Sequence, residues 1–408
     1  MNKKKDIKDI VVLSTADWDN PFWTNKQHVA LELANRGHRV LYIESLGLRR
    51  PSVNKKDLSR IFRRVLKAIK APRKVRDNVW VWSPISIPFN NYAFVRKLNK
   101  LILSSALKFW CWRLKFKDET LWTYNPLTTR FLEPGDFGYV VYHCVDEIKA
   151  QPGMPVEILQ DAEEELVRRA DITFVTSLTL LKSRKHWSDE VYYFSNVADY
   201  NHFSKALDDQ LPVPADLNAI PEPRIGFIGA ISGYKVNFSL LEAIAEAHPE
   251  WSLVMIGDVG EGDPNTDATQ LTRHKNIHLI GPRAYQQLPG YLKGFAATLL
   301  PNNLNEYTAS MFPMKFFEYL AAGKAVVSVD LASLCDFKDY FRVAHTPAEF
   351  ISALEDITSG DRISVEKCQE LAREYTYQSR TKKMFKLPPP PPPPPTPTAP
   401  PPPPPTHT

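Results

Sequence analysis

The sequence predicts an α/β fold built from two doubly wound domains that face each other across a cleft. Three observations support this prediction. Short apolar runs alternate with amphipathic stretches along most of the 408 residues. A polar, proline-containing stretch at 201–223 interrupts this alternation once. The chain is also too long for one ordinary hydrophobic core, so two domains are expected.

The first series of elements predicts an N-terminal domain of residues 1–200. β-Branched, aromatic and other apolar residues predict strands at 9–15, 39–45, 78–84, 120–125, 139–146, 171–177 and 191–197. Amphipathic stretches predict helices at 26–36, 156–170 and 177–186. Strands that alternate with helices form a parallel sheet covered on both faces. We therefore expect a Rossmann-like domain.

A second series predicts another Rossmann-like domain at 224–363. Its strands are expected at 224–230, 252–258, 277–282, 297–301, 325–330 and 341–345, with helices that include 237–247 and 314–322. We expect residues 201–223 to be a linker. Residues 364–387 have mixed charge and predict one long helix that packs back on the N-terminal domain.

The C-terminal tail has a different composition. Of its 21 residues, 388–408, 15 are proline. Such a tail cannot pack a core, and we expect it to be disordered polyproline II. An aromatic, polyproline-binding groove of a partner is the binding site that suits it.

Cysteine and hydropathy patterns exclude several classes of protein. The four cysteines, at 111, 144, 335 and 368, form no CxxC or Cys/His cluster, so neither a zinc site nor a disulfide framework is expected. The basic N-terminus lacks the apolar run of a signal peptide, and no apolar run reaches the ~20 residues that cross a bilayer. We expect a cytoplasmic protein.

Positive charge is concentrated in residues 49–117, called here the basic block. It holds 19 Lys and Arg against two acids, and we expect it to be a basic amphipathic insertion in the N-terminal domain. Over residues 58–70, apolar residues recur at helical spacing with basic residues between them. Over residues 96–117, aromatic residues occur among basic residues. This pattern favours an anionic membrane surface over nucleic acid, for which no recognition motif is present; solvated helix faces remain the alternative. We expect peripheral attachment to the inner face of the membrane.

One segment of the second domain carries a family resemblance. Residues 313–328, PMKFFEYLAAGKAVVS, resemble the nucleotide-sugar motif of GT-B glycosyltransferases of the family 4 type. Weaker similarities at 27–40, 196–203, 226–235 and 276–292 follow in the family's order, so the resemblance covers about residues 8–385. The subgroup most similar is the bacterial cell-surface polysaccharide transferases of teichuronic-acid type.

The resemblance implies a function. A hexose-type sugar would pass from a nucleotide-diphosphate-sugar to a glycan or lipid-linked acceptor, with retention of anomeric configuration, in cell-envelope or extracellular polysaccharide synthesis. In the second domain it assigns the ribose to Glu318, which can accept hydrogen bonds from both hydroxyls. Phosphate is expected at Lys235 and Lys315. Further nucleotide-sugar contacts are expected at Gly229, Arg283, Ser310, Met311 and Phe312.

Two positions depart from the family pattern. Ser310 stands where many relatives have a sugar-binding Glu, and Ala230 stands where many have an Arg. Lys235, Lys315 or Lys26 must then carry more of the phosphate charge.

The N-terminal domain is expected to bind the acceptor and to close the cleft. Thr24, Asn25 and Lys26 open the first helix and are predicted to face the phosphate and acceptor. At the end of a strand, the resemblance makes Asp146 the first catalytic candidate and His143 the second. Strand alternation places these two side chains on opposite faces, so they are not expected to act together.

No metal or other cofactor is expected. Asp17-Trp18-Asp19 has the DxD spacing of some metal sites, but it lies in a loop of the wrong fold and is interpreted as a chance match. Helix dipoles and lysines would stabilise the leaving diphosphate instead. Two other functions remain open: a nucleotide-sugar epimerase of the same fold, and a non-catalytic scaffold.

Overall fold

The computed structural model describes residues 8–20, 23–46, 71–84, 93–261, 263 and 265–387. Within them the chain forms two sheets, each covered by helices. The predicted basic helix at 58–70 and the proline tail lie outside the described residues. The prediction of an α/β fold with two facing domains, each built on a mostly parallel sheet, is confirmed.

The first sheet has eight strands in the order β3-β4-β2-β1-β5-β6-β7-β8. All neighbouring strands are parallel except β3 and β4, which are antiparallel. β1 lies near the centre, and all five of its residues are buried. The strands are β1 Asp9–Leu13, β2 Arg39–Ile43, β3 Arg73–Arg76, β4 Val79–Trp82, β5 Thr120–Thr123, β6 Tyr139–Cys144, β7 Ile172–Val175 and β8 Val191–Tyr193.

The basic block is therefore not a single insertion. β4 lies inside the block and pairs in parallel with β2, so this part of the block belongs to the sheet. The sequence prediction missed β3 because its residues, RKVR, lack an apolar pattern. β3 is the outermost strand, and charged residues on an edge strand discourage pairing with another chain.

The second sheet has six parallel strands in the order β11-β10-β9-β12-β13-β14. At its carboxyl edge, Gly257 adopts φ +155°, and a Cβ there would lie 1.8 Å from the Gly229 carbonyl oxygen. Only glycine permits this close approach. The strands are β9 Arg224–Ile228, β10 Ser252–Ile256, β11 Ile277–Leu279, β12 Ala297–Leu300, β13 Val326–Ser328 and β14 Arg342–Val343.

Helices cover both sheets. In chain order they are α1 Asn25–Asn35, α2 Ala93–Arg113, α3 Thr128–Phe131, α4 Val156–Arg169, α5 Leu178–Arg184, α6 Tyr200–Phe203, α7 Ala215–Asn218, α8 Phe238–Ala247, α9 Thr269–Thr272, α10 Leu288–Lys293, α11 Glu306–Ala309, α12 Met314–Ala321, α13 Pro347–Ser359, α14 Val365–Glu374 and α15 Tyr377–Met384. Short 3₁₀ turns follow several of these helices and strands.

The segments between and after the domains differ from the prediction in detail. Residues 201–223 lead from the first domain to the second, and Phe203 and Leu217 of this stretch are fully buried in the core of the second domain. The predicted single helix at 364–387 is wrong: the segment forms two helices, α14 and α15, and Thr376 caps α15 by accepting a hydrogen bond from the Ser379 N–H. α15 then packs against α1 of the first domain.

Candidate functional site

A cavity of about 200 Å³ lies where the carboxyl ends of the two sheets face each other. This is where ligands bind in doubly wound folds. The first domain lines it with Thr24, Asn25, Lys26, Val145, Asp146 and Asn196. The second domain lines it with the β9 loop, Lys235, Val236, Leu300, Asn302 and the stretch 311–315. Most of the residues predicted for the site thus meet in one place.

A larger groove of about 1030 Å³ lies between α1, residues 198–201 and α15. None of the residues predicted for the site line it. The smaller cavity is the stronger candidate because nine of the predicted site residues line it and lysines from both domains meet there.

Lysines from both domains line the cavity. Lys26, from the first domain, is near Asp146 and Lys235. Burial lowers the pKa of the Lys26 ammonium; Asp146 opposes this shift and the charge of Lys235 adds to it. Lys235, from the second domain, has its ammonium 5.2 Å from the Tyr234 ring centre and 5.3 Å from that of Tyr307. Two cations held near each other favour a ligand that carries more than one negative charge.

The N-terminus of α12 faces the cavity. Pro313 is the residue before the helix, the N-cap. Met311, Phe312 and Lys315 line the cavity at this helix start. N–H groups of the first helical turn have no partner within the helix, and the helix dipole makes this end positive. The position suits an anionic oxygen.

Glu318 lies one turn further along α12. Its side chain is only 3% exposed and is not among the residues that line the cavity. Its Oε2 accepts a hydrogen bond from Lys315 Nζ at 2.6 Å. Lys315 does line the cavity, so the ion pair connects the Glu318 carboxylate to that wall.

Asn25 connects the two walls. Its amide nitrogen donates to Asn196 Oδ1 at 2.7 Å, and Asn196 donates to the Phe312 carbonyl at 2.6 Å. Arg380 of α15 donates to Asn25 Oδ1 at 2.7 Å. The Asn25 side chain thus holds Asn196, and Asn196 makes the hydrogen bond that crosses from the first domain to the second. Thr24 precedes α1, where its backbone N–H donates to Gln27 Oε1 at 3.1 Å.

The two catalytic candidates occupy different surroundings. Asp146 lines the cavity, and Tyr307 Oη of the second domain donates to its Oδ1 at 3.3 Å. His143 is fully buried and stacks on Tyr124 with ring centres 4.9 Å apart. Burial holds the pKa of His143 well below its ordinary value, and neither ring nitrogen has a hydrogen-bond partner. The structure therefore brings Asp146, and not His143, to the cavity.

Three other predicted residues also have defined places. Gly229 lines the cavity at the end of β9. Arg283 does not line it, because its guanidinium donates to Asp216 Oδ2 at 2.7 Å and to Tyr291 Oη at 2.7 Å. Ser310 is buried at the end of α11 and does not line the cavity either.

Sequence reasoning missed Tyr307 and Asn196 as site residues. Tyr307 contacts the Asp146 carboxylate across the domain interface, although the two residues are 161 positions apart in the chain. Nothing in the sequence around either residue signals this contact. Asn196 lies in a segment that was noted for its family similarity, but only the structure shows its bond to the Phe312 carbonyl.

Among the described residues, no three His, Cys, Asp or Glu side chains lie together as a metal site would require. Asp19 of the DxD triplet pairs with Arg73 at 2.6 Å. No helix in the described part of the chain is both long and apolar enough to cross a bilayer.

Comparisons with known proteins agree with this geometry. Residues 222–359 match the glycosyl transferases group 1 family. A teichuronic acid biosynthesis glycosyltransferase of Bacillus subtilis, TuaH, is 27% identical over 267 residues, which are 60% of this chain and 66% of the relative. The chain thus spans about two thirds of the length of that curated relative.

Solved structures show the same fold. Sucrose-phosphate synthase from Thermosynechococcus elongatus superposes with a TM-score of 0.67 at 13% identity, over 93% of this chain and 98% of that one. Anabaena HepE in complex with UDP-glucose gives a TM-score of 0.60 at 14% identity, over 93% of this chain and 100% of that one. Residues 222–359 are thus similar to the glycosyl transferases group 1 family, and the two facing domains have the GT-B fold seen in these solved structures.

Proposed function

We propose that this chain transfers a sugar from a nucleoside-diphosphate-sugar to a glycan or lipid-linked acceptor. The observation that carries the proposal is the cavity between the domains, where Lys26, Lys235 and the N-terminus of α12 converge. A diphosphate between these groups would be bound by two ammonium ions and by free backbone N–H groups. The group 1 family match over residues 222–359, which include Lys235 and α12, supports this assignment.

The charges also support a mechanism for the transfer. As the bond from the sugar to the diphosphate breaks, negative charge grows on the leaving phosphate oxygens. Lys26, Lys235 and the α12 dipole would stabilise this charge in the transition state without a metal ion. Asp146 lies on the first-domain wall, where it would face the sugar. We infer retention of anomeric configuration from the family resemblance.

A uridine diphosphate hexose is the first donor to test. HepE was solved with UDP-glucose, and the trehalose-6-phosphate enzyme from E. coli with UDP-2-fluoro glucose. The similarity to TuaH points to a cell-envelope polysaccharide as the product. An acceptor made in that pathway would be a glycan or a lipid-linked glycan.

We further propose that the first domain docks on an anionic membrane surface from the cytoplasmic side. α2 exposes one stripe at helical spacing that contains Phe94, Lys97, Leu101, Lys108 and Trp112. Trp112 is 72% exposed, whereas Leu103 and Leu107 on the opposite face are buried in the core. Aromatic and basic side chains on one exposed helix face suit the headgroup region of a bilayer. The positive charge of the basic block adds about 1 kcal/mol per Lys or Arg near such a surface.

A donor panel tests the transfer. Purified protein is incubated with UDP-glucose and other nucleotide-sugars, with and without a membrane lipid extract, and the products are identified by mass spectrometry. We expect release of the nucleoside diphosphate together with a glycosylated acceptor. Interconversion of the donor sugar without transfer would instead identify an epimerase, and no change in any donor would identify a non-catalytic scaffold.

Vesicle co-sedimentation tests the membrane proposal. We expect binding to phosphatidylglycerol vesicles, weaker binding to phosphatidylcholine, and loss of binding at high salt, because salt screens the attraction. Replacement of Trp112 and Leu101 by Ser removes the apolar part of the stripe and should weaken binding; replacement of Leu304, an equally exposed residue of the second domain, should not. Equal binding of wild type to both lipids would refute the proposal.

A further inference from the structure

The loop that carries Asp146 is held by a buried ion network. Arg184 of α5 is 1% exposed. Its guanidinium donates to Glu147 through Nη1 at 2.5 Å and Nη2 at 2.8 Å, and to Glu163 of α4 through Nη2 at 2.7 Å. Glu147 directly follows Asp146, so Arg184 fixes the residue next to the candidate carboxylate.

This network carries unbalanced charge. One cation faces two carboxylates, and each of the three side chains is at most 7% exposed. Tyr142 Oη donates to Glu163 at 2.7 Å, and Cys144 Sγ lies 3.3 Å from the same oxygen, which partly compensates the second carboxylate. Buried ion networks often add no stability over apolar side chains of similar size. Stability alone is therefore a weak explanation for this one.

The Asp146 loop and α5 both contact the second domain. Thr176 Oγ1 donates to the Val145 carbonyl at 2.8 Å, which fixes the loop on its other side. From the second domain, Tyr307 reaches Asp146, and the Ala309 carbonyl accepts a hydrogen bond from Thr179 Oγ1 of α5 at 2.9 Å. The helix that carries Arg184 thus also contacts α11, which carries Tyr307.

We propose that Arg184 is a positioning residue that, through Glu147, holds the Asp146 carboxylate at the cavity wall and against the second domain. This inference rests on the proposed function, since it assigns Asp146 a place beside the sugar. Arg184 itself does not line the cavity. It acts by fixing the position of the Asp146 carboxylate, which does line the cavity. Transfer rates are sensitive to displacements of about 1 Å at the reacting centre.

Two substitutions test the proposal: Glu147→Gln, which keeps the size of the side chain but removes its charge, and Arg184→Lys, which keeps the charge but loses the two-pronged contact. We expect kcat for sugar transfer, per folded molecule, to fall ~10- to 100-fold in each variant. The KM for the donor should stay at the wild-type value, because neither residue touches the second-domain cations. Glu164→Gln is the matched control, since Glu164 forms an exposed pair with Arg168 on the same helix as Glu163.

A purely structural role predicts a different result. It would lower the melting temperature or the folded fraction and leave kcat per folded molecule unchanged, and this outcome overturns the proposal. Glu163→Gln provides the same comparison if Glu147→Gln does not fold. If wild type transfers sugar and these variants retain its kcat, only the positioning role fails. If wild type transfers sugar from no donor, the proposed function fails first and this inference falls with it.

Discussion

Replacing Lys235 by Met should weaken binding of the donor's diphosphate. The Lys235 ammonium lies beside the Tyr234 and Tyr307 rings, 5.2 Å and 5.3 Å from their centres, and the residue lines the cavity. Met fills a similar volume and packs well against aromatic rings, so the fold should persist. A charge-assisted hydrogen bond to phosphate contributes about 1.5–3 kcal/mol, so its loss should raise Kd about 10- to 150-fold. The increase in Kd should lie toward the lower end of this range. Removing the charge of Lys235 favours the charged form of Lys26, which can then neutralise part of the diphosphate charge.

Calorimetric titration with UDP and with uridine isolates the phosphate contribution. Lys235→Met should lose affinity for UDP and keep that of wild type for uridine, because uridine has no phosphate. Lys235→Arg preserves the charge and should bind UDP almost as wild type does. Lys275→Met, at an exposed position of the same domain, is the control for nonspecific charge effects. Wild-type affinity of Lys235→Met for UDP would refute the reasoning and remove Lys235 from the phosphate site.

The remaining predictions concern the ribose, metal and acid stability. If Glu318 binds the ribose, Glu318→Gln should raise the Kd for UDP at least about tenfold and should no longer distinguish UDP from 2′-deoxy-UDP, whereas an unchanged preference for UDP would place the ribose elsewhere. Transfer should continue in excess EDTA, and loss of activity that Mn²⁺ restores would contradict the metal-free mechanism. Burial lowers the pKa of His28 from its ordinary 6.5 to about 3. Between these two pH values the unfolded chain binds a proton at His28 and the folded chain does not, so the free energy of unfolding falls as the pH drops from 6.5 towards 3. His28→Phe keeps a ring stacked on Tyr377. In urea unfolding, this variant should lower the pH dependence of the free energy of unfolding by about 1.4 kcal/mol per pH unit. An unchanged pH dependence would show that His28 is not buried in its neutral form.

The sequence predicted the fold well where patterns are local. After a charged first residue, the buried strands β1 and β9 are apolar runs over residues 10–13 and 225–228, and such runs are visible in the sequence. The predicted strands extended one to four residues too far at their carboxyl ends, because residues such as Asp146 leave the sheet to enter the loops of the site. β3 was missed because an exposed edge strand carries no apolar signal. The break before α15 was missed although Thr376 is a good helix cap, because a mixed-charge helical pattern continues on both sides of it.

The site was predictable only in part. Lys235, Lys315 and the start of α12 lie in segments that resemble a known motif, and the structure brings them to one cavity. Arg283 looked like a nucleotide contact, but Asp216, 67 positions away, takes its guanidinium. Such partners depend on tertiary packing and cannot be read from local sequence.

Hydrogen–deuterium exchange with bound UDP-glucose tests the central claim most directly. At the start of α12, the N–H groups of Met314 and Lys315 precede the first hydrogen bond, which the Phe316 N–H donates to the Pro313 carbonyl, so in the free protein these two groups should exchange quickly. If the diphosphate lies between the domains, the donor should slow exchange at the start of α12, residues 311–316, and at the start of α1, residues 24–27, together. The same donor should give less protection in Lys235→Met. Donor binding that protects neither helix start, or that protects them equally in the variant, would contradict the account.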